Sequence, residues 1–232
     1  MKTIGLIGGG MSWESSIQYY RIINEATKAK PGGLHSAKCL MYSVDFAEIE
    51  TLQHEGHWDE AAEILGLMAQ GLEKGGADFI VLCTNTMHKI VDSLSDYAQI
   101  PFLHIADPTA EKIVEAGIRR IGLLGTRFTM EEDFYKGRLS NKFSLDVIVP
   151  DKQECDMVHR VIYEELVLGI IRDNSKKQYL QIVNHLKAQG AQGVILGCTE
   201  IGLLVREGDC TIPLFDTTRI HAEAAVEWAL KK

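Results

Sequence analysis

The chain is short of basic charge: 24 Lys and Arg stand against 32 Asp and Glu in 232 residues, a formal net charge of −8 at pH 7. Phosphate backbones are gripped by clustered Lys and Arg, so a nucleic-acid partner is excluded, and an anionic substrate needs a local exception to the acidic whole. Long hydrophobic runs are missing too. No stretch reaches the roughly 18 to 20 apolar residues of a membrane span. The apolar run in Met1-Lys-Thr-Ile-Gly-Leu-Ile-Gly-Gly-Gly is too short for a signal h-region, and no small-residue cleavage pattern follows it. A cytoplasmic protein with no membrane partner is expected.

Cysteine chemistry of the usual structural kinds is also lacking. Cys39, Cys83, Cys155, Cys198 and Cys210 contain no C-x-x-C pair and no zinc-ligand spacing, which argues against disulfides and structural zinc. His54-Glu-Gly-His57 lacks the i, i+4 histidines of a zinc helix and reads as a pair of exposed loop histidines. A dinucleotide fingerprint is broken as well: after Gly8-x-Gly10 the third glycine position is Trp13, whose ring would block close helix packing. Neither a metal nor a cofactor is expected. What remains, 46% hydrophobic and 24% charged residues, is the composition of a globular protein with a sizeable core.

The most informative stretch is Gly190-Ala-Gln-Gly-Val-Ile-Leu-Gly-Cys-Thr-Glu200, an apolar strand that stops at a thiol. It occurs twice, since Gly76-Ala-Asp-Phe-Ile-Val-Leu-Cys-Thr-Asn-Thr86 has the same start and the same polar finish. Laying Gly76 on Gly190 gives an offset of 114 residues, and pairs Thr84 with Cys198 and Asn85 with Thr199. Cys83 falls opposite Gly197 instead. Side chains alternate faces along a strand, so this register selects Thr84 over Cys83 as the residue presented at the strand end.

Two further segments repeat. Arg120-Ile-Gly-Leu-Leu-Gly-Thr126 echoes Thr3-Ile-Gly-Leu-Ile-Gly-Gly9 at an offset of 117, and Ile212-Pro-Leu-Phe-Asp echoes Ile100-Pro-Phe-Leu-His at 112. Around them, strands at about 37–44, 79–83, 100–108 and 143–149 and one ending at 198 alternate with helices at about 13–28 and 58–72, one ending at about 96, and others at about 154–168 and 175–189, which predicts parallel sheets with right-handed crossovers. Residues 48–57 are read as a connection at the carboxyl end of the second strand. The expected fold is α/β with two similar lobes, 1–106 and 107–215, related by a pseudo-twofold axis, with 216–232 returning to the first lobe.

Ligands of open parallel sheets bind beyond the carboxyl ends of the strands. Two lobes facing one another would bring Thr84 and Cys198 to opposite sides of one cleft, a geometry for taking a proton from one face of a carbon and returning it to the other. A thiol at a strand mouth, where a helix amino terminus lowers its pKa, is a candidate acid or base. Thr126 is the counterpart of Gly9, and its hydroxyl faces the cleft or caps the turn that follows. His88 reads as packing, and Glu165 and Glu200 as acidic groups near the rim of the second site, Glu200 with an orienting role.

Val81-Leu-Cys-Thr-Asn-Thr-Met-His88, Val194-Ile-Leu-Gly-Cys-Thr-Glu-Ile201 and Gly8-Gly-Gly-Met-Ser-Trp-Glu14 resemble the two signatures and amino-terminal loop of the aspartate/glutamate racemase family, over essentially the whole chain. The nearest likeness is to its broad-specificity amino-acid racemases and L-aspartate/glutamate-specific racemases. The resemblance implies cofactor-independent racemisation of a small acidic amino acid at Cα by two acid/base residues, and commonly a homodimer. Family members usually carry cysteine at both positions, whereas this chain has Thr84 at the first, in agreement with the register of the internal repeat. The resemblance places substrate contacts at Asn85, Thr86 and Thr199, and others at Met11 and Gln53. Other cofactor-free isomerases or decarboxylases, which can use one cysteine, and a binding-only homologue remain the alternatives.

Overall fold

The computed structural model describes residues 1–10 and 12–231. Two compact units divide the chain: Met1–Ile105 with His221–Lys232, and Ala106–Ile220. The first holds β1 (Ile4–Gly8), α1 (Trp13–Ala29), β2 (Cys39–Ser43), α2 (Phe46–Glu55), α3 (Trp58–Lys74), β3 (Phe79–Leu82), a 3₁₀ turn at Thr86–Ile90 leading into α4 (Val91–Leu94), and β4 (Phe102–Leu103). The second holds α5 (Ala106–Glu115), β5 (Arg120–Gly125), α6 (Arg127–Glu131), α7 (Asp133–Phe143), β6 (Asp146–Ile148), α8 (Lys152–Glu164), α9 (Asp173–Ala188), β7 (Val194–Gly197), α10 (Ile201–Leu204) and β8 (Leu214–Asp216). Helix α11 (Thr217–Leu230) begins in the second unit, and its residues from His221 belong to the first.

Each unit is built on a four-stranded parallel sheet, in the orders β2-β1-β3-β4 and β6-β5-β7-β8. Strands β1, β3 and β7 are buried along their whole length, and β5 from Ile121 onward, which is why they read as apolar runs rather than as alternating patterns. The sequence offsets reappear as strand register. Gly5 pairs with Ile80 and Gly122 with Val194; Leu6 pairs with Val81 and Leu123 with Ile195. Likewise Val81 pairs with Leu103 and Ile195 with Phe215. All three offsets, 117, 114 and 112, are thus kept by hydrogen-bonded ladders, and Thr84 and Cys198 stand at equivalent positions two residues beyond Leu82 and Leu196.

Several elements differ from the sequence-based expectation. Residues 48–57 do not form a loop: most of them lie in α2, which is N-capped by the Asp45 side chain on the Ala47 amide and closed by Gly56 in the left-handed region at φ 77°. That helix turns Gln53 inward and leaves His54 and His57 at the surface. The strand expected at 143–149 is only Asp146–Ile148, because α7 runs through Phe143 and ends on Ser144. The short stretch after β3 is 3₁₀ before it is α-helical.

Candidate active site

In the first unit the turn after β1 is held against the end of β3. Gly9 has φ +78°, and a Cβ there would lie 2.2 Å from the Val44 carbonyl oxygen, so the conformation and the space both require glycine. Ser16 Oγ accepts from the Gly9 amide at 2.9 Å, Ser12 caps α1, and Ser15 Oγ reaches the Ser12 and Cys83 carbonyls at 2.9 and 3.4 Å. Gly10 lies directly over Thr84: a Cβ on it would sit 3.1 Å from Thr84 Cγ2.

Thr84 is 1% exposed, and its Oγ1 has no hydrogen-bond partner among the described residues. Buried hydroxyls without partners are costly, and this one, unlike those of Thr27 and Tyr135, stands just beyond the end of β3 beside the glycine turn. Asn85 and Thr86 follow it into the 3₁₀ turn and are buried beside it in sequence. Gln53 arrives from α2 with Nε2 2.9 Å from the Met87 sulfur, and Met87 Cγ is itself 3.7 Å from where a Gly10 Cβ would be. Gly10, Thr84, Met87 and Gln53 therefore form one contiguous patch. Met11 lies outside the described residues.

Cys83, one residue earlier, points the other way. It is fully buried in the apolar cluster of Ile4, Leu6, Tyr19, Val81 and Val226, and burial, with the nearby Cys39, pushes its thiol far above the ordinary value. Such a group packs and does not react.

In the second unit β7 is followed directly by Cys198, which is 3% exposed and donates its S–H to Glu200 Oε2 at 3.0 Å. Thr199 Oγ1 donates to the same oxygen at 2.6 Å, so two neighbouring side chains converge on one buried carboxylate. The turn is fastened from α11, where Thr217 Oγ1 donates to the Leu196 carbonyl at 2.8 Å and Thr218 Oγ1 to that of Thr199 at 3.5 Å. Burial first, and the Glu200 charge next, raise the thiol well above its ordinary value; the amides of Glu200 and Ile201 pull the other way and lose. The expected lowering by a helix amino terminus is therefore corrected: Cys198 rests as a thiol, with a carboxylate placed to take its proton.

Thr126 spends its hydroxyl as the cap of α6, accepting from the Thr129 amide at 3.3 Å and sharing a 3.2 Å bond with Thr129 Oγ1. Of its two sequence-based roles the capping one is realised. Glu165 is held by Ser175 Oγ at 2.6 Å and Arg172 Nη1 at 3.2 Å. Burial, then Cys198 and Glu165, push the Tyr179 hydroxyl well above its ordinary value. Among the described residues no group of three or more His, Cys, Asp or Glu could hold a metal, and no helix is long and apolar enough to cross a membrane.

Sequence reasoning underrated two residues. Glu200 bonds the thiol itself, a contact its place two residues after Cys198 hints at. His88 does more than pack: its Nδ1 lies 2.8 Å from the Thr84 carbonyl oxygen.

Comparison with known proteins follows the same lines. The family described as Asp/Glu/Hydantoin racemase matches residues 9–225. A Yersinia pestis protein, whose crystal structure is described as that of a candidate Asp/Glu racemase, is 55% identical over 100% of both chains with a TM-score of 0.92. An aspartate racemase homologue from Pyrococcus horikoshii OT3 is 35% identical over 100% of both chains with a TM-score of 0.85. The broad specificity amino-acid racemase RacX of Bacillus subtilis is 25% identical over 162 residues, 67% of this chain and 66% of that protein. With its motifs, its repeated sheet order and the match across nearly its whole length in agreement, the chain belongs to the Asp/Glu/Hydantoin racemase family.

Proposed function

We propose that the protein is a cofactor-independent, cytoplasmic amino-acid racemase that acts on L-aspartate or L-glutamate by proton transfer at Cα, with Cys198 attending one face and Thr84 the other. The observation that carries this reading is the equivalence of the two residues in strand register, a duplicated position that holds a thiol in one sheet and a hydroxyl in the other. Asn85, Thr86 and Thr199 supply polar contacts to the substrate carboxylate, Gln53 and Met11 further contacts, and the assembly is a homodimer.

The chemistry starts from a protonated Cys198. Glu200 Oε2 accepts the thiol proton along the existing 3.0 Å contact, and the thiolate so formed removes the Cα proton, leaving a carbanion conjugated with the substrate carboxylate. Return of that proton from sulfur regenerates the L-form. Delivery of a proton at the other face, from the Thr84 hydroxyl as it takes one from water, gives the D-form; the Cα proton stays on the Cys198 sulfur, and the proton held on Glu200 neutralises the hydroxide left by the water. A threonine hydroxyl can donate or relay a proton but does not persist as a base near neutral pH, so loss of the L-form proton is fast and inversion slow.

The test is solvent deuterium incorporation at Cα of aspartate and glutamate, followed by proton NMR alongside optical rotation. Exchange on the L-form faster than inversion, lost in Cys198→Ser, is the expected result. Absence of exchange with ligand-induced stabilisation would make the protein a binding-only homologue. The single thiol also favours a second reading, a one-cysteine isomerase or decarboxylase acting beside a carboxylate; release of carbon dioxide from a malonate-type acid would establish it.

A further inference from the structure

Three buried histidines meet behind Thr84, and the reaction outlined above uses none of them. His88, His104 and His221 are all buried, with ring centroids 4.6 Å apart for His88 and His104 and 5.8 Å for His88 and His221. Hydrogen bonding fixes the tautomers of two of them. The Ile105 amide can only donate and lies 3.1 Å from His88 Nε2, so Nε2 carries no proton; the Thr84 carbonyl can only accept and lies 2.8 Å from Nδ1, so Nδ1 carries it. His221 has the opposite tautomer, since its Nε2 donates to the Leu103 carbonyl at 2.8 Å and its Nδ1 accepts from Tyr19 Oη at 2.8 Å. The rings cross-tie the ends of β3 and β4 to α1 and α11.

The bond on Thr84 has a particular consequence. In an α-helix the Thr84 carbonyl would accept from the amide of residue 88, but that amide bonds the Asn85 carbonyl at 3.1 Å, as the 3₁₀ turn requires. The imidazole of the same residue replaces it. A side chain thereby keeps the turn from winding up as α-helix and fixes the carbonyl of Thr84, whose own hydroxyl has no partner among the described residues.

We infer that His88 is a positioning residue for the Thr84 face of the reaction: its neutral Nδ1–H, oriented by Ile105, sets the direction in which the Thr84 hydroxyl and the following Asn85 are presented. This rests on the racemase reading. Two substitutions separate orientation from packing, because both remove the ring and its tilted and edge-on contacts with His104 and His221. His88→Asn places an amide donor near Nδ1 and keeps the bond to Thr84; His88→Gln reaches toward Ile105 and leaves the Thr84 carbonyl without a donor.

The quantity to measure is the ratio of inversion to L-form α-hydrogen exchange in one deuterated sample, which is independent of how much protein is folded. His88→Gln should lower that ratio by about tenfold to a hundredfold, the scale of a misplaced reacting group, with L-form exchange at Cys198 kept within about twofold. His88→Asn should restore most of it. An unchanged ratio in His88→Gln, or Asn no better than Gln, overturns the assignment while leaving the racemase reading intact. Wild-type protein without exchange on either amino acid overturns both. Should neither variant fold, nitrogen-15 NMR of the wild type decides: a His88 protonated at Nε2 in place of Nδ1 rules the orienting bond out.

Discussion

At Cys198 and Glu200 a single charge has two opposed effects. The carboxylate raises the thiol pKa, which disfavours thiolate, yet it is also the nearest acceptor for the thiol proton. Glu200→Gln separates them. The thiol should titrate at lower pH, so alkylation by iodoacetamide at neutral pH speeds up, while turnover falls by about a hundredfold or more as the proton acceptor is lost. Faster alkylation with undiminished turnover would show that the carboxylate takes no proton. Thr84 is the complementary case. Because the equilibrium constant of racemisation is one, kcat/KM is the same for both enantiomers, and a hydroxyl that slows one direction slows the other. Thr84→Cys should therefore raise D-form exchange and net inversion together, by a large factor, whereas Cys83→Ala, in the apolar cluster, should cost stability of about 1–2 kcal/mol and little activity. A folded Thr84→Cys with unchanged D-form exchange would remove Thr84 from the mechanism.

Among the elements, the strands were the most legible, and the reason is burial. A strand enclosed on both faces must be apolar throughout, and a slipped register would misplace every side chain, so the repeats at Gly5, Val81 and Leu103 carried their pairing in the sequence. Helix α2 was not legible as such, although Asp45, Glu48 three residues on and Gly56 are its start and stop signals; the pair of histidines within 48–57 drew the reading toward a loop. The bond from His88 could not be read at all, because it depends on a 3₁₀ turn and on where β4 delivers Ile105. Between α5 and α7, Asp107 is clamped by Arg138 through Nε at 2.6 Å and Nη2 at 2.8 Å, with Lys142 at 2.8 Å. Burial opposes ionisation, but these bonds win and hold the carboxyl below its ordinary range. Its folded pKa being depressed, the clamp's stabilisation is complete above the unfolded value of about 3.9 and fades as pH falls through the folded one. Asp107→Asn should cost roughly 1–3 kcal/mol in urea unfolding at pH 7, with the gap to wild type closing below about pH 4. An equal deficit at pH 7 and pH 3 would assign the loss to packing.

For the whole molecule, alkali is the weak side. Burial raises Cys39 and Cys155 to about 11, Cys83 and Tyr135 higher still, and lifts Cys198 and Tyr179 well above their ordinary values. These acids are neutral in the folded chain and ionise more readily in the unfolded one. Their contribution is full below the unfolded thiol value of about 8.5 and is lost as pH rises through the folded ones. Midpoints of thermal unfolding should fall steadily from about pH 9 to pH 11, and a flat profile there would mean that the thiols are accessible to water. The apolar layer over β1 and β3 is completed by Ala222, Ala225, Val226 and Ala229 of α11, which belong to a unit whose other residues end at Ile105. On the ribosome the intervening segment, Ala106–Ile220, emerges in full before the unit that began first can close. The half that carries Thr84 is therefore first to be synthesised and last to be finished, and until His221 and its successors appear its nascent sheet is what a chaperone would find uncovered.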